Sequence, residues 1–376
     1  MAEAVEREIA ARVRAFAEAE AYADSEFDRL ARAVFECQYE ACAPYRAFCD
    51  RRGVTPARVR HWTEIPAVPQ TAFKSAVLYA DGGDAVRVFE TSGTTAGRSG
   101  RHHVSENGLA LYADAMRVTF AHFLLPELER GVWPRTVHVP VALAPSVEEA
   151  PASSLSFMID GVCAAFFAEP PTRVVRQGKL EIDVLRAALA RCERDGRPAI
   201  LLGTSLAFLD AADALAARGE SYELPSGSRI METGGSKGRR RAIEPDALRA
   251  RLAETFGVPE DAIVNEYGMT EACSQFYDGS LRDQGREKRG PAWVRALICD
   301  PETLAPAPAG ATGVVRWVDL ANRYSVSFIL TEDLARAEIE GHDGPGLAPF
   351  TLLGRAAGAE ARGCSLAAEE WERVTS

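Results

Sequence analysis

The sequence predicts an α/β protein: a largely parallel sheet flanked by helices, closed by a β-rich C-terminal subdomain. Three observations predict it. Between residues 180 and 265, helical periodicity alternates with short apolar strands. Those strands run into loops of small and polar residues, Thr204, Thr233-Gly234-Gly235 and Tyr267-Gly268-Met269-Thr270-Glu271, placed where open α/β sheets bind ligands. From Trp293 onward strands crowd together with no helix between them.

Taken in order, residues 1–52 read as helical, with Ala-rich periodic segments at 4–20 and 25–40 and Ser25 with Asp28 as a capping box. Gly53 and Pro56 break this region. Residues 65–69 are extended, because each proline restrains its predecessor. Residues 86–89 form a short strand that delivers a Ser/Thr/Gly loop, and a helix follows over 105–123. Strands are expected at 136–141, 199–203, 229–232 and 262–265. Helices are expected at 180–194, 205–218 and 245–256. Further strands are expected at 293–298, 313–318 and 324–330, with a surface turn at 301–308. The implied division is a helical segment over 1–60, an α/β core over 61–290, and a closing subdomain with a short tail over 291–376.

With 376 residues the chain can bury a full core. Its 54 acidic and 43 basic residues give a net charge of -11, which argues against nucleic acid or an anionic membrane as partner. No apolar run is long enough to span a bilayer, and the first twenty residues lack an apolar signal core, so a cytoplasmic protein is expected. Eight cysteines are dispersed without C-x-x-C spacing and read as reduced thiols.

Two distant stretches carry the chemistry. Phe89-Glu90-Thr91-Ser92-Gly93-Thr94-Thr95-Ala96-Gly97 is a loop whose small residues let backbone N–H groups and hydroxyls approach phosphate oxygens. Asn265-Glu266-Tyr267-Gly268-Met269-Thr270-Glu271 offers a flat ring, a hydroxyl and a carboxylate, suited to adenine, phosphate and magnesium. The loop is not a Walker motif: Gly93 and Gly97 enclose three residues and Arg98 follows, with no phosphate-gripping lysine. It lacks the G-x-G-x-x-G of dinucleotide folds, and the chain has no G-x-S-x-G hydrolase elbow.

Thr-Ser-Gly-Thr-Thr followed far downstream by Tyr-Gly-Met-Thr-Glu resembles the adenylate-forming superfamily. So do Leu330-Thr331-Glu332-Asp333 and Leu353-Gly354-Arg355, in the expected order. Within it the chain is most similar to LuxE-type acyl-protein synthetases. Pro140-Val141-Ala142-Leu143-Ala144-Pro145-Ser146 and Ser153-Ser154-Leu155-Ser156-Phe157-Met158 look like that family's mid-chain pattern. Arg362-Gly363-Cys364-Ser365-Leu366 sits where the family carries an acyl-accepting cysteine. The resemblance implies an adenylate-forming large domain with the mobile C-terminal domain largely absent. The chain departs from the superfamily at Ala96, Glu332 and Ala356, which bears on loop mobility and hinge behaviour.

The resemblance also implies roles. ATP and Mg²⁺ are the expected cofactors. Thr91, Ser92, Gly93, Thr94, Thr95 and Gly97 would meet the β- and γ-phosphates and Thr270 the α-phosphate. Glu271 would hold Mg²⁺. Tyr267, beside Gly268, would stack on adenine, with Gly234 and Gly235 passing close to the base. Asp333 and Arg355 would take the ribose. Cys364 would carry the acyl group as a thioester; Cys273 is the competing thiol and reads as packing. Lys237 either offsets adenylate charge or is a solvated basic loop residue. His138 either assists the carboxylate or is structural. His102 and His103 adjoin the glycine loop. Phe120, Phe123, Phe157 and Phe166 either line an acyl tunnel or form core. The substrate would be a carboxylic acid, and the partner an acyl reductase or an acyl carrier protein. Two other readings stay open: a ligase that releases a thioester of CoA or a carrier protein, and a non-catalytic nucleotide-binding or scaffold module.

Overall fold

Alternation of alanine with charged residues makes the beginning of the chain helical: α1 (Ala2–Arg14), α2 (Asp24–Ala41) and α3 (Ala43–Arg51). The computed structural model describes residues 2–15, 24–91, 99–128, 135–234, 243–282, 285–337, 349–355 and 362–375. They belong to two compact units, one comprising 1–119, 269–275 and 287–376, the other 120–268 and 276–286.

The first unit opens with those helices. Ser25 lies inside α2 rather than capping it, and the Asp28 carboxylate accepts the Trp62 backbone N–H (2.7 Å) and an Arg32 bond (2.9 Å). The expected capping box is therefore a tether between α2 and the next segment. Buried Gln38 donates to Asn322 O (3.1 Å) and Arg323 O (3.0 Å) and accepts from Ser327 N–H (3.1 Å). An extended segment gives β1 (Val68–Pro69), then α4 (Ala72–Ser75). Next come β2 (Arg87–Glu90) and β3 (Arg101–Val104), an antiparallel pair. Only β2 was expected. Arg-His-His-Val carries little intrinsic strand preference, and pairing with β2 makes it a strand. α5 (Glu106–Leu124) runs from the first unit into the second.

In the second unit β4 (Val139–Leu143) is followed by α6 (Ser154–Phe166), β5 (Thr172–Arg173), and the β6 (Val175–Arg176)/β7 (Lys179–Leu180) hairpin. Then α7 (Ile182–Asp195), β8 (Ala199–Thr204), α8 (Ser205–Ala216), β9 (Arg229–Thr233), α9 (Pro245–Phe256) and β10 (Ile263–Tyr267) alternate. Strands β5, β4, β8, β9 and β10 are parallel neighbours in that order, and β11 (Phe276–Asp278) adds an antiparallel edge. Pro140 is tolerated inside β4 because β5 pairs only from Val141 onward, so the missing N–H breaks no ladder there. α7, α8 and α9 bury Leu185, Leu189, Phe208, Leu252 and Phe256 against Leu201 and Ile230. α6 was not expected as a helix. Its buried residues, Ser156, Met158, Ile159, Val162, Cys163 and Phe166, form one face, but apolar Phe157, Ala164 and Ala165 lie off that face, so the sequence shows no polar side to mark a 3.6-residue period.

Back in the first unit, β12 (Lys288–Arg289), β13 (Val294–Cys299), β14 (Thr312–Asp319), β15 (Phe328–Ala337) and β16 (Phe350–Arg355) are antiparallel where they pair, in the order β13-β14-β15-β16-β12. The predicted β-rich subdomain is present here. β15 is shared along one edge: β1 pairs in parallel with Ile329 and Leu330, and β16 pairs with residues from Asp333 onward. The short tail expected at the end is instead helix α10 (Arg362–Thr375). It docks through buried Ala367 and Trp371; Trp371 meets Phe48 edge-on (5.4 Å) and donates to Ser75 Oγ (2.9 Å), and Glu370 pairs with Arg52 (2.6 Å).

Candidate active site

In the first unit the ladder of β2 and β3 continues one step past Glu90. Thr91 N–H donates to Gly100 O (3.0 Å), and Gly100 N–H donates to Thr91 Oγ1 (2.8 Å). This pair forms the neck of the glycine loop. Ser92, Gly93, Thr94, Thr95 and Gly97 themselves fall outside the described residues, as do Gly235 and Lys237.

Glu271 stands at that neck. A Cβ on Gly100 would meet Thr91 Cγ2 at 3.2 Å and Glu271 Oε1 at 3.3 Å, so the absence of a side chain there makes room for the carboxylate. Glu271 is 2% exposed, and its Oε2 accepts a hydrogen bond from Gln70 Nε2 (3.1 Å). Burial pushes its pKa up; the Gln70 bond and the charges of Arg355 and Lys74 act the other way. A buried carboxylate is a hard oxygen donor of the type Mg²⁺ takes together with phosphate oxygens. Glu271 fits that ion as a single oxygen ligand; among the described residues no group of three or more His, Cys, Asp or Glu forms a metal cluster.

The backbone carrying Glu271 is held by side chains the sequence reading did not single out as anchors. His102 Nδ1 bonds Thr270 O (2.9 Å), Asn322 Nδ2 donates to Glu271 O (2.8 Å), and Asp319 accepts from Cys273 N–H (2.9 Å) and Ser274 Oγ (2.8 Å). Asp319 and Asn322 flank Leu320-Ala321 between Arg316 and Arg323, and no spacing in the sequence marks them as anchors. Cys273 is buried, with its thiol pushed well above the usual range by burial, which makes it a packing residue rather than a nucleophile.

Burial drives the His102 pKa down to about 4, so the ring is neutral near pH 7 and its Nδ1–H donates to the carbonyl. The unfolded chain takes up this proton as pH falls through 6.5, and the native state does not until about 4. His102 therefore contributes stability that is present above pH 6.5 and lost toward pH 4. His102→Gln is expected to remove an acid destabilisation on the order of 3 kcal/mol, read as the difference between the two proteins' urea-unfolding free energies across that range. Buried Asp319, raised to about 6, has the opposite sign and loses stability as pH rises from 3.8 through 6, so the difference against wild type is what isolates His102.

Asp333 and Arg355 are direct cross-strand partners on β15 and β16, with Arg355 Nε 3.6 Å from Asp333 Oδ1. The structure thus joins two residues read from separate motifs. Cys364 is the third residue of α10; its side chain lies outside the described residues.

In the second unit the carboxyl ends of β8, β9 and β10 place Thr204, Thr233-Gly234 and Tyr267-Gly268 on one sheet edge. Gly234 has φ +78, a conformation strained for any side chain, with open space around it. Ser205 Oγ lies 2.5 Å from Gly234 O and contacts the Glu232 carboxylate, which also accepts from Asn265 Nδ2 (2.6 Å). Thr233 Oγ1 bonds the Glu266 carboxylate. This buried network fixes the start of the Gly-Gly loop. Tyr267 is 8% exposed, with the Phe276 ring 6.4 Å away and tilted 32°.

His138 is not brought to that edge. It precedes β4 at the amino end of the sheet, with Nε2 3.0 Å from Gly227 O, and burial and Arg229 lower its pKa. Three of the four phenylalanines stack in the core: Phe120 on Phe166 (5.9 Å) and Phe123 on Tyr277 (5.3 Å). Phe157 is half-buried on α6. Among the described residues no helix is long and apolar enough to cross a membrane.

The chain is also similar to known proteins. The family model described as acyl-protein synthetase, LuxE, matches residues 9–371. The long-chain-fatty-acid–luciferin-component ligase of Vibrio harveyi is 23% identical over 341 residues, covering 90% of this chain and 86% of the relative. The protein of the same name from Aliivibrio fischeri is 22% identical over 311 residues, covering 82% and 78%. Among solved structures, a 2-hydroxyisobutyryl-CoA ligase crystallised in an open conformation with 2-HIB-AMP and CoA aligns with a TM-score of 0.62 at 14% identity, covering 88% of this chain and 75% of that one. That likeness is one of fold: an adenylate-forming ligase architecture.

Proposed function

Because the chain belongs to the acyl-protein synthetase, LuxE, family, we propose that it activates a fatty acid with ATP as acyl-AMP, loads the acyl group onto Cys364, and passes it to an acyl reductase or acyl carrier protein. A carboxylate is a poor electrophile until its oxygen is converted into a good leaving group. In the first step a carboxylate oxygen bonds to the α-phosphorus and pyrophosphate departs. In the second the Cys364 thiolate attacks the acyl carbon and AMP departs with the electron pair of the broken bond.

The observation that carries this reading is the buried Glu271 carboxylate at the Thr91–Gly100 neck of the glycine loop. Catalysis of the first step rests on alignment and on neutralising charge at phosphorus. Thr91, Ser92, Gly93, Thr94, Thr95 and Gly97 hold the β- and γ-phosphates, and Thr270 meets the α-phosphate. Glu271 holds Mg²⁺, which when bound screens the phosphate charge. Tyr267 and Gly268, with Gly234 and Gly235, receive the adenine, Asp333 and Arg355 the ribose hydroxyls, and Lys237 offsets adenylate charge. The second step is assigned to Cys364, the third residue of α10. The names of the relatives support a long-chain fatty acid as substrate.

Exchange of labelled pyrophosphate into ATP tests the first step. Exchange is expected to require an added acid and to be strongest with long-chain fatty acids in a panel of aliphatic and aromatic acids. Exchange that is absent with every acid would end the proposal.

A further inference from the structure

We propose that Gln70 is a positioning residue that fixes the direction from which Glu271 meets a divalent cation. This rests on the reading of Glu271 as a magnesium ligand and adds a residue that no motif points to. Gln70 follows the two-residue strand β1, and its N–H donates to Leu330 O (2.9 Å), so β15 pins its backbone. From there its side-chain amide reaches Glu271 Oε2 (3.1 Å). One carboxylate oxygen is engaged by a neutral donor, while Oε1 stands beside Gly100 and Thr91 at the neck of the glycine loop.

The chemistry of the donor matters. An amide orients a carboxylate without cancelling its charge, leaving the second oxygen available to a metal. An ammonium in the same place would compete with the cation. Magnesium demands a narrow geometry and uses few protein carboxylates, so a ligand held by a single oxygen gains from a fixed orientation. Glu271 is buried with its backbone tied by Asn322 and by the neighbouring His102–Thr270 bond, so the carboxylate plane is the freedom that Gln70 removes.

The test is equilibrium binding of ATP to the full-length protein by calorimetry, with Mg²⁺ and with EDTA. Wild type is expected to bind ATP more tightly with Mg²⁺, and Glu271→Gln to lose that gain. In Gln70→Leu the Mg²⁺-dependent gain is expected to fall by about tenfold, with ATP affinity in EDTA unchanged. Gln70→Asn keeps the amide but shortens its reach; the same loss is expected, and it serves if the leucine variant does not fold. Wild-type Mg²⁺ dependence in the folded variants, or an equal fall with and without Mg²⁺, overturns the role of Gln70 while leaving the adenylation reading intact. A wild type that gains nothing from Mg²⁺ overturns the assignment of Glu271 itself.

Discussion

Cys364→Ser protein given labelled fatty acid, ATP and Mg²⁺ is expected to retain no hydroxylamine-labile acyl label, while pyrophosphate exchange continues. The expectation follows from separating the two half-reactions. The first consumes ATP and involves no thiol. The second needs an ionised nucleophile, and a serine hydroxyl is far less acidic than a thiol and supplies almost none at neutral pH, so the loss should be on the order of 10²-fold or more. Cys364 is the third residue of α10, and the helix is anchored downstream by Trp371, Ala367 and the Glu370–Arg52 pair, so the substitution spares its docking. An unchanged melting temperature and far-UV circular dichroism would verify this. The seven described thiols are not obvious substitutes: six are buried, and Cys273, Cys163 and Cys49 are raised by burial. If the variant labels as well as wild type, acyl carriage belongs elsewhere. If wild type takes no label and instead releases AMP only when CoA is added, the thioester leaves the enzyme.

Glu271→Gln is expected to separate activity from stability. Pyrophosphate exchange should fall by about 10²–10³-fold, the scale seen when one preorganised electrostatic group is removed from a reaction at charged centres. The folded protein should not suffer. Burial raises the Glu271 pKa, so near neutral pH the native state bears the cost of holding a charge that the unfolded chain exposes freely. A glutamine of the same shape removes that cost and can still accept from Gln70. The melting temperature at pH 7 is expected to hold or rise by a few degrees, corresponding to about 1 kcal/mol. A large fall in melting temperature would mean the charge stabilises the fold, and the functional account of its burial would fail.

What the sequence conveyed depended on the kind of signal. α9 lies where its Pro-at-start, Gly-at-end pattern predicts, Pro245–Phe256 with Gly257 at φ +63. β8 and β9 were equally legible as apolar runs between helices. α6 and β3 were not: the first carries apolar residues off its buried face as well as on it, and the second depends on its partner strand. α10 could have been read from the i, i+4 spacing of Ala367 and Trp371. At the site, motifs gave Thr91, Glu271, Asp333 and Arg355 because each is a recognisable residue within a short string. Gln70, Asp319 and Asn322 act on the 270–274 segment from positions far away in the chain, and only three-dimensional structure pairs them with it.

The bonds of Gln38 to Asn322, Arg323 and Ser327 bear on how the molecule is born. Ribosomes deliver about 5–20 residues per second, so α2 must wait tens of seconds for partners encoded almost 290 positions later. The run from 120 to 268 needs no such delay and can settle first. Nascent chains halted before residue 320 should therefore protect the middle of the sequence from protease while leaving α2 cleavable. Mutations that loosen α2 should lower yield during synthesis more than they lower the endurance of finished protein.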